Sequence, residues 1–120
     1  MKNFTPVLPL HELAEGNIRT VSVHGERVAI TLLDGEPQAF QSLCPHDKAG
    51  LSEGRIEGCE LHCPRHAARF NLYTGVVSAG WRVDDLKRYP ARIRAGMIEI
   101  DAEAVRKDPP EGQKMVWDFS

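Results

Sequence analysis

Residues 44–66 read CPHDKAGLSEGRIEGCELHCPRH, and this stretch decides how the rest of the chain is organised. A Cys-x-His pair, Cys44 and His46, opens it, and a Cys-x-x-His pair, Cys63 and His66, closes it after sixteen intervening residues. Thiolates and imidazoles are side chains that bind transition metals. Proline follows the cysteine in each pair, and it favours turns over the interior of helices or strands. The stretch therefore predicts a metal centre held between two loops.

Two kinds of metal centre use two cysteines and two histidines. In a [2Fe–2S] cluster of mixed ligation, two cysteines hold one iron and two histidines hold the other. In a zinc site the four ligands surround one ion, and paired ligands are usually separated by about two to four residues. Cys44-x-His46 is tighter than that, and the histidines do not follow both cysteines as they do in a zinc finger. The pattern favours an iron–sulfur cluster, with zinc and a chance arrangement as the open alternatives.

Around these residues the sequence resembles a known family. The two Cys/His pairs, followed by Ala67 to Asn71 and then Thr74-Gly75, resemble the Rieske-type [2Fe–2S] ferredoxins of bacterial oxygenase systems that act on aromatic rings. The resemblance extends over roughly residues 4–102. It implies an all-β fold of stacked antiparallel sheets, with two loops forming a cluster-binding subdomain at one end. The implied ligands of the single [2Fe–2S] cluster are Cys44, His46, Cys63 and His66.

The resemblance also implies an activity, which is to carry single electrons from an NAD(P)H-dependent flavin reductase to a terminal oxygenase. That oxygenase is either a ring dioxygenase or a diiron monooxygenase. Both the reductase and the oxygenase are expected to dock transiently near His46 and His66. A non-catalytic small subunit of a reductase such as nitrite reductase is the alternative, besides a structural zinc module. The chain itself is not expected to be an enzyme. Beyond the cluster ligands, three scattered histidines cannot supply a mononuclear iron site, and no Gly-rich dinucleotide fingerprint occurs.

Length and composition agree with a small globular protein. The chain has 120 residues, 42% of them hydrophobic and 27% charged, which is typical of one soluble domain. A net charge of −2 gives no electrostatic basis for binding nucleic acid or an anionic membrane. No apolar run approaches the roughly 20 residues of a membrane span, and the N-terminus lacks the apolar segment of a signal peptide. The sequence predicts a monomer in the cytoplasm, without nucleic-acid or membrane partners.

The three cysteines argue against a disulfide framework, because the number is odd. Cys59 is left over when Cys44 and Cys63 bind the cluster. We expect it to be a reduced thiol that packs as a small apolar side chain in a strand, and a third ligand is the alternative. Some Rieske proteins of cytochrome complexes join their two loops by a disulfide. The corresponding positions here are Ala49 and Arg65, so the resemblance implies no such brace.

Short alternating segments separated by turn residues predict antiparallel strands along most of the chain. Asp34-Gly35 and Ala95-Gly96 mark hairpin turns, and residues 4–10, with two prolines, suit an edge strand. The predicted Rieske domain covers residues 1–103, with its cluster loops at about 43–50 and 62–68. The predicted C-terminal tail, residues 104–120, has a polar linker and an aromatic end. We expect that end, with Trp117 and Phe119, to pack back on the sheet, and partner docking is the alternative.

Two positions after the second Cys/His pair bear on the reduction potential. High-potential relatives carry a serine two residues and a tyrosine four residues after the second ligand histidine, and their hydroxyls donate hydrogen bonds to sulfur. In this chain Ala68 and Phe70 stand there and offer no donor. The resemblance therefore implies a potential in the lower part of the Rieske range. Tyr73 lies close enough in sequence to be a substitute donor.

Overall fold

The computed structural model describes residues 3–43, 50–63, 68–78 and 85–110, and these residues form three antiparallel sheets. An outer sheet has the strand order β1-β10-β9, a central sheet β2-β3-β4-β8, and a third, the loop sheet, β5-β6-β7. The strands are β1 (Phe4–Pro9), β2 (Arg19–Val23), β3 (Glu26–Leu33), β4 (Glu36–Gln41), β5 (Arg55–Glu57), β6 (Glu60–His62), β7 (Arg69–Asn71), β8 (Arg88–Tyr89), β9 (Ala91–Arg94) and β10 (Met97–Asp101). The predicted all-β architecture is confirmed.

Tight turns with positive φ join the hairpins. Residues in this left-handed region match the right-handed twist of the strands they connect. Asp34 has φ 53° and Gly35 has φ 78° between β3 and β4, while Ala95 and Gly96 have φ 53° and 78° between β9 and β10. Both hairpins were predicted from these dipeptides. The predicted edge strand is β1, which pairs only with β10 among the described residues.

The central sheet is buried on both faces, because side chains of β3 alternate between two hydrophobic cores. Val28, Ile30 and Leu32 point into the base core, which they share with residues of the outer sheet such as Ile98 and Ile100. The opposite face contributes Ala29, Leu33 and Phe40 to the loop core. That core also contains residues of the loop sheet and its connections: Leu51, Leu61, Cys63, Ala68, Phe70, Leu72 and Leu86. The three sheets are therefore stacked, with the loop sheet on one side.

A short helix, α1 (Ala102–Lys107), follows β10 where the sequence predicted a polar linker. The Asp101 side chain caps it by accepting a hydrogen bond from the Glu103 amide at 3.1 Å. Val105 is 1% exposed and lies in the base core, so the helix is anchored by apolar burial. In the described part of the chain no helix is long and apolar enough to cross a bilayer.

Residues 108–110 continue from α1 as a C-terminal strap that lies against the central sheet. The Tyr89 hydroxyl donates to the Asp108 carbonyl at 2.7 Å, and burial raises the pKa of Tyr89 above its usual value. Lys87 Nζ lies 2.9 Å from Asp108 Oδ1 and donates to the Pro109 carbonyl at 2.8 Å. Gln41 Nε2 donates to the Pro110 carbonyl at 3.3 Å. The strap therefore ends beside the last residue of β4. Trp117 and Phe119 lie outside the described residues, and the division of the chain at residue 103 stays a prediction.

The turn after β7 depends on Gly75, and its replacement by alanine should destabilise the fold strongly. Gly75 has φ +84°, and an added Cβ would collide with the Leu86 carbonyl oxygen. Gly25→Ala is a matched control, because Gly25 has φ +85° and open space around the same position. We expect Gly25→Ala to cost about 1–2 kcal/mol for the backbone conformation. Gly75→Ala should cost about 1–3 kcal/mol more for the collision. Urea unfolding measures both, and equal losses would show that the Leu86 backbone moves aside freely.

Candidate metal centre

The residues on either side of the first loop pair with each other, and we call this paired segment the stem of the loop. Leu43 and Gly50 form an antiparallel bridge just beyond the end of β4. The Leu51 amide donates to the Ser42 carbonyl at 2.8 Å, which fixes the return of the chain. Leu51 is fully buried in the loop core. Residues 44–49 are thereby connected to a rigid scaffold at both ends. Cys44 and His46 are among them and lie outside the described residues.

The second loop has an equally tight stem between β6 and β7. The Cys63 amide donates to the Ala68 carbonyl at 3.1 Å, so residues 64–67 are spanned by one backbone hydrogen bond. Cys63 itself is 4% exposed and packs in the loop core. It is the one predicted ligand within the described residues. His66 lies outside them.

Both stems belong to the same end of the loop sheet. A 3₁₀ turn at Leu51–Glu53 leads from the first stem into β5, whose Arg55 pairs with His62 of β6. Gly54 makes this approach possible, because an added Cβ would lie 2.5 Å from the His62 carbonyl oxygen and 3.1 Å from that of Leu51. The residue before Cys63 is therefore in backbone contact with the segment that follows the first loop. This brings the stems of the two predicted ligand loops together.

This arrangement fits a metal cluster of the expected kind. Buried cysteines that serve only packing are common, but Cys63 sits where a strand ends and a short loop begins. Cys63 lies at the end of the loop sheet where both stems meet, which is where a metal centre held between the two loops is expected. A [2Fe–2S] cluster held there would supply a centre that gains and loses one electron. The soft thiolate and imidazole donors are suited to iron.

The described residues Ala68 and Phe70, beside the second stem, have no side-chain hydrogen-bond donor to offer to sulfur. Ala68 and Phe70 are both fully buried in the loop core. Tyr73, the predicted substitute, is 40% exposed, and its hydroxyl donates to Asp34 Oδ2 at 3.3 Å. Desolvation raises the pKa of Tyr73, and the neighbouring Asp34 carboxylate adds to this. The Tyr73 hydroxyl is therefore directed to the β3–β4 turn.

We expect Tyr73→Phe to leave the midpoint potential of the cluster unchanged, because the hydroxyl it removes is bonded to Asp34. A redox titration followed by electron paramagnetic resonance measures the potential. Unfolding in urea provides the control, since loss of one exposed hydrogen bond should cost less than about 1 kcal/mol. A clear fall in potential would show that Tyr73 donates to the cluster after all.

Cys59 lies in the turn between β5 and β6, so the prediction of a strand position is wrong. Gly58 has φ 62°, which ends β5 and reverses the chain immediately before the cysteine. The half-buried Cys59 sulfur accepts a hydrogen bond from Asn71 Nδ2 at 3.7 Å. Strand β6 separates Cys59 from Cys63, and four residues of extended chain span about 13 Å. The two cysteines therefore stand at opposite ends of β6. His62 lies in β6.

Arg88 is a structural residue of this region that the sequence did not reveal. Its Nε donates to the Leu72 carbonyl at 2.7 Å, and Nη2 donates to Gln38 Oε1 at 3.2 Å. These bonds tie the segment after β7 to the central sheet. Burial lowers the pKa of the Arg88 guanidinium. Nothing in the local sequence distinguishes this arginine from those at the surface.

Comparison with known proteins decides the family. The sequence profile described as the Rieske [2Fe-2S] domain matches residues 3–90. The ferredoxin component of the naphthalene 1,2-dioxygenase system of Pseudomonas aeruginosa is 36% identical over 92 residues, which are 77% of this chain and 88% of that protein. The chain belongs to the Rieske [2Fe–2S] ferredoxins of bacterial aromatic-ring dioxygenase systems. The resemblance in sequence, the cluster type and the role as an electron carrier are confirmed.

Solved structures of Rieske ferredoxins have the same fold. The ferredoxin of Sphingomonas yanoikuyae B1 superposes with a TM-score of 0.75 at 28% identity, covering 82% of this chain and 98% of that one. A complex of reduced oxygenase and oxidised ferredoxin in carbazole 1,9a-dioxygenase contains a chain with a TM-score of 0.72 at 26% identity. The match covers 80% of this Rieske chain and 99% of that chain. Membership of this family excludes the structural zinc module, which was one of the alternatives from the sequence.

Proposed function

We propose that this Rieske ferredoxin receives single electrons from an NAD(P)H-dependent flavin reductase and delivers them to the terminal oxygenase of a ring dioxygenase system. The observation that carries the proposal is the buried Cys63 at the closed stem of the second loop, in backbone reach of the first stem. A carrier needs its redox centre held by rigid loops at one end of a small protein. Similarity to ferredoxin components favours this role over that of a reductase subunit, and a ring dioxygenase over a diiron monooxygenase.

The proposed ligands are Cys44 and Cys63 on one iron and His46 and His66 on the other. Each loop contributes one cysteine and one histidine. Cys63 is supported by its burial and by the hydrogen bond that closes its loop. The other three assignments rest on the spacing of the two Cys/His pairs and on the family.

The surface around His46 and His66 is the proposed contact for both partners. Electron transfer favours close approach, and a carrier that alternates between two partners is served by a small, transient interface. The chain is proposed to act as a monomer in the cytoplasm. The composition and the expected reduced state of Cys59 support that location.

The purified ferredoxin should be inactive alone toward NADH and aromatic substrates, and should restore turnover when mixed with reductase and oxygenase. The reason is that the sequence has no Gly-rich dinucleotide fingerprint and, beyond the proposed ligands, only three scattered histidines. Product formation by the reconstituted system is the measurement, with the Cys63→Ser variant as a matched negative control. Turnover that is equally fast without the ferredoxin would refute the carrier role. Line broadening in NMR spectra maps docking, and a footprint away from the two loops would refute the proposed contact surface.

A further inference from the structure

A pocket of about 200 Å³, lined by both polar and apolar groups, lies beside the stem of the first loop. It borders the Leu43–Gly50 bridge that closes this loop, so it lies next to the proposed metal centre. The described residues that line it are Thr20, Arg27, Ser42, Leu43, Gly50 and Ser52. One side chain among them is cationic, three carry hydroxyls, and none is acidic. The lining therefore has the chemistry of a site for an anion.

Arg27 and Arg94 differ from the other described arginines, because neither has an ion pair or hydrogen bond to a described residue. Within the described residues, six other arginines each bind a carbonyl or a carboxylate: Arg19, Arg55, Arg69, Arg88, Arg92 and Arg106. Arg27 is exposed on β3 and has no ion pair or hydrogen bond to any described residue. Arg94, exposed at the end of β9, is not among the residues that line this pocket. Two similar arginines therefore differ in their surroundings.

Hydroxyl donors accompany the Arg27 charge. Ser42 is 6% exposed, and its carbonyl is used by the Leu51 amide. Its hydroxyl has no hydrogen-bond partner among the described residues, and Ser42 is one of the residues that line the pocket. A guanidinium presents several N–H donors in a planar fork, and hydroxyls add single donors around it. Carboxylates are the common protein groups that match this pattern, and charge-assisted bonds to arginine are the strong ones.

We propose that this pocket receives an aspartate or glutamate side chain of the terminal oxygenase when the two proteins dock. The inference rests on the proposed function and adds the chemistry of the contact. The occupant is a protein side chain because the pocket borders the loop around which the electron partner must approach. An ion pair of this kind orients two proteins during encounter and speeds association. The oxygenase is the expected partner because a Rieske ferredoxin of this fold forms a complex with the oxygenase in the carbazole system.

The test uses the full-length, cluster-loaded protein and compares Arg27→Gln with the matched control Arg94→Gln. Stopped-flow oxidation of the reduced ferredoxin by the oxygenase of its own system measures association as a function of oxygenase concentration and salt. We expect Arg27→Gln to weaken association about tenfold, to flatten its salt dependence, and to leave electron transfer at saturating oxygenase unchanged. Arg94→Gln should behave like the wild type. Arg27→Lys should recover part of the loss because it keeps the charge without the fork.

The other outcomes overturn the proposal in distinguishable ways. Equal effects of the two glutamine variants would show a general charge effect without a specific pocket. If Arg27→Gln slows only the reduction of the ferredoxin by the reductase, the pocket binds the reductase and not the oxygenase. Binding of inorganic phosphate that NMR detects in the wild type and not in Arg27→Gln, together with unchanged oxygenase association, would make it a site for a free anion. If the wild-type ferredoxin transfers no electron to the oxygenase, the proposed function fails and this inference falls with it.

Discussion

Replacing Cys63 with serine is expected to leave the purified protein almost free of iron and acid-labile sulfide. The thiol is 4% exposed at the closed stem of the second loop, so no other side chain can easily take its place. An alkoxide is a poor substitute because serine is far less acidic than cysteine, and iron–sulfur clusters are held by thiolates. Cluster binding also contributes folding free energy, so the variant should unfold more easily than the loaded wild type. Iron and sulfide analysis with visible absorption measures the loss.

Cys59→Ser is the matched control for this experiment. Cys59 stands at the opposite end of β6, and its sulfur accepts a hydrogen bond from Asn71. The variant should keep a full cluster and an unchanged absorption spectrum. Wild-type iron content in Cys63→Ser would refute the ligand assignment. Loss of the cluster in Cys59→Ser would instead show that the third cysteine contributes to the site.

Combining Ala68→Ser with Phe70→Tyr should raise the reduction potential substantially, because each change adds a hydroxyl donor where high-potential relatives have one. A donor directed at sulfur stabilises the additional negative charge of the reduced state. Both native side chains are fully buried beside the Cys63 stem and carry no hydroxyl. Rieske potentials extend from about −150 to +300 mV, and the wild type is expected below about 0 mV.

Protein-film voltammetry on the wild type, the two single variants and the double variant measures this effect. Ala68→Val is a control that adds volume without a donor, and it should leave the potential near the wild-type value while costing about 1–3 kcal/mol through overpacking. A wild-type midpoint well above about +100 mV, within the upper part of the Rieske range, would contradict the prediction. So would a double variant whose potential does not rise.

The parts of the fold that local chemistry determines could be predicted from the sequence. Asp34-Gly35 and Ala95-Gly96 form turns with positive φ because their own residues favour that conformation. Strand β8 was missed because its two residues are defined only by pairing with β4, far away in the chain. Helix α1 was missed because six residues make fewer than two turns and show no clear period.

For the candidate site, too, some features could be predicted from the sequence and others could not. The spacing of its Cys/His pairs identified the ligand set, since few centres use two such pairs. The close approach of the two stems could not be predicted, because it depends on the contact of Gly54 with the His62 backbone. Cys59 was assigned to a strand, but the positive φ at Gly58 places both residues in the turn that joins β5 and β6. The sequence around Arg27 and Arg88 does not distinguish them. Only the tertiary structure shows that Arg27 lines a pocket whereas Arg88 donates hydrogen bonds to Leu72 and Gln38.

The two separate cores of the central sheet bear on how the protein matures. The base core, which is closed by the outer sheet and α1, does not contain Cys63, the one proposed ligand among the described residues. Cys63 belongs to the loop core on the other face. We therefore expect a newly synthesised chain to fold its base before iron arrives, so that delivery of the metal completes a scaffold that already exists. The biosynthetic machinery would then need to recognise only one end of a folded client protein.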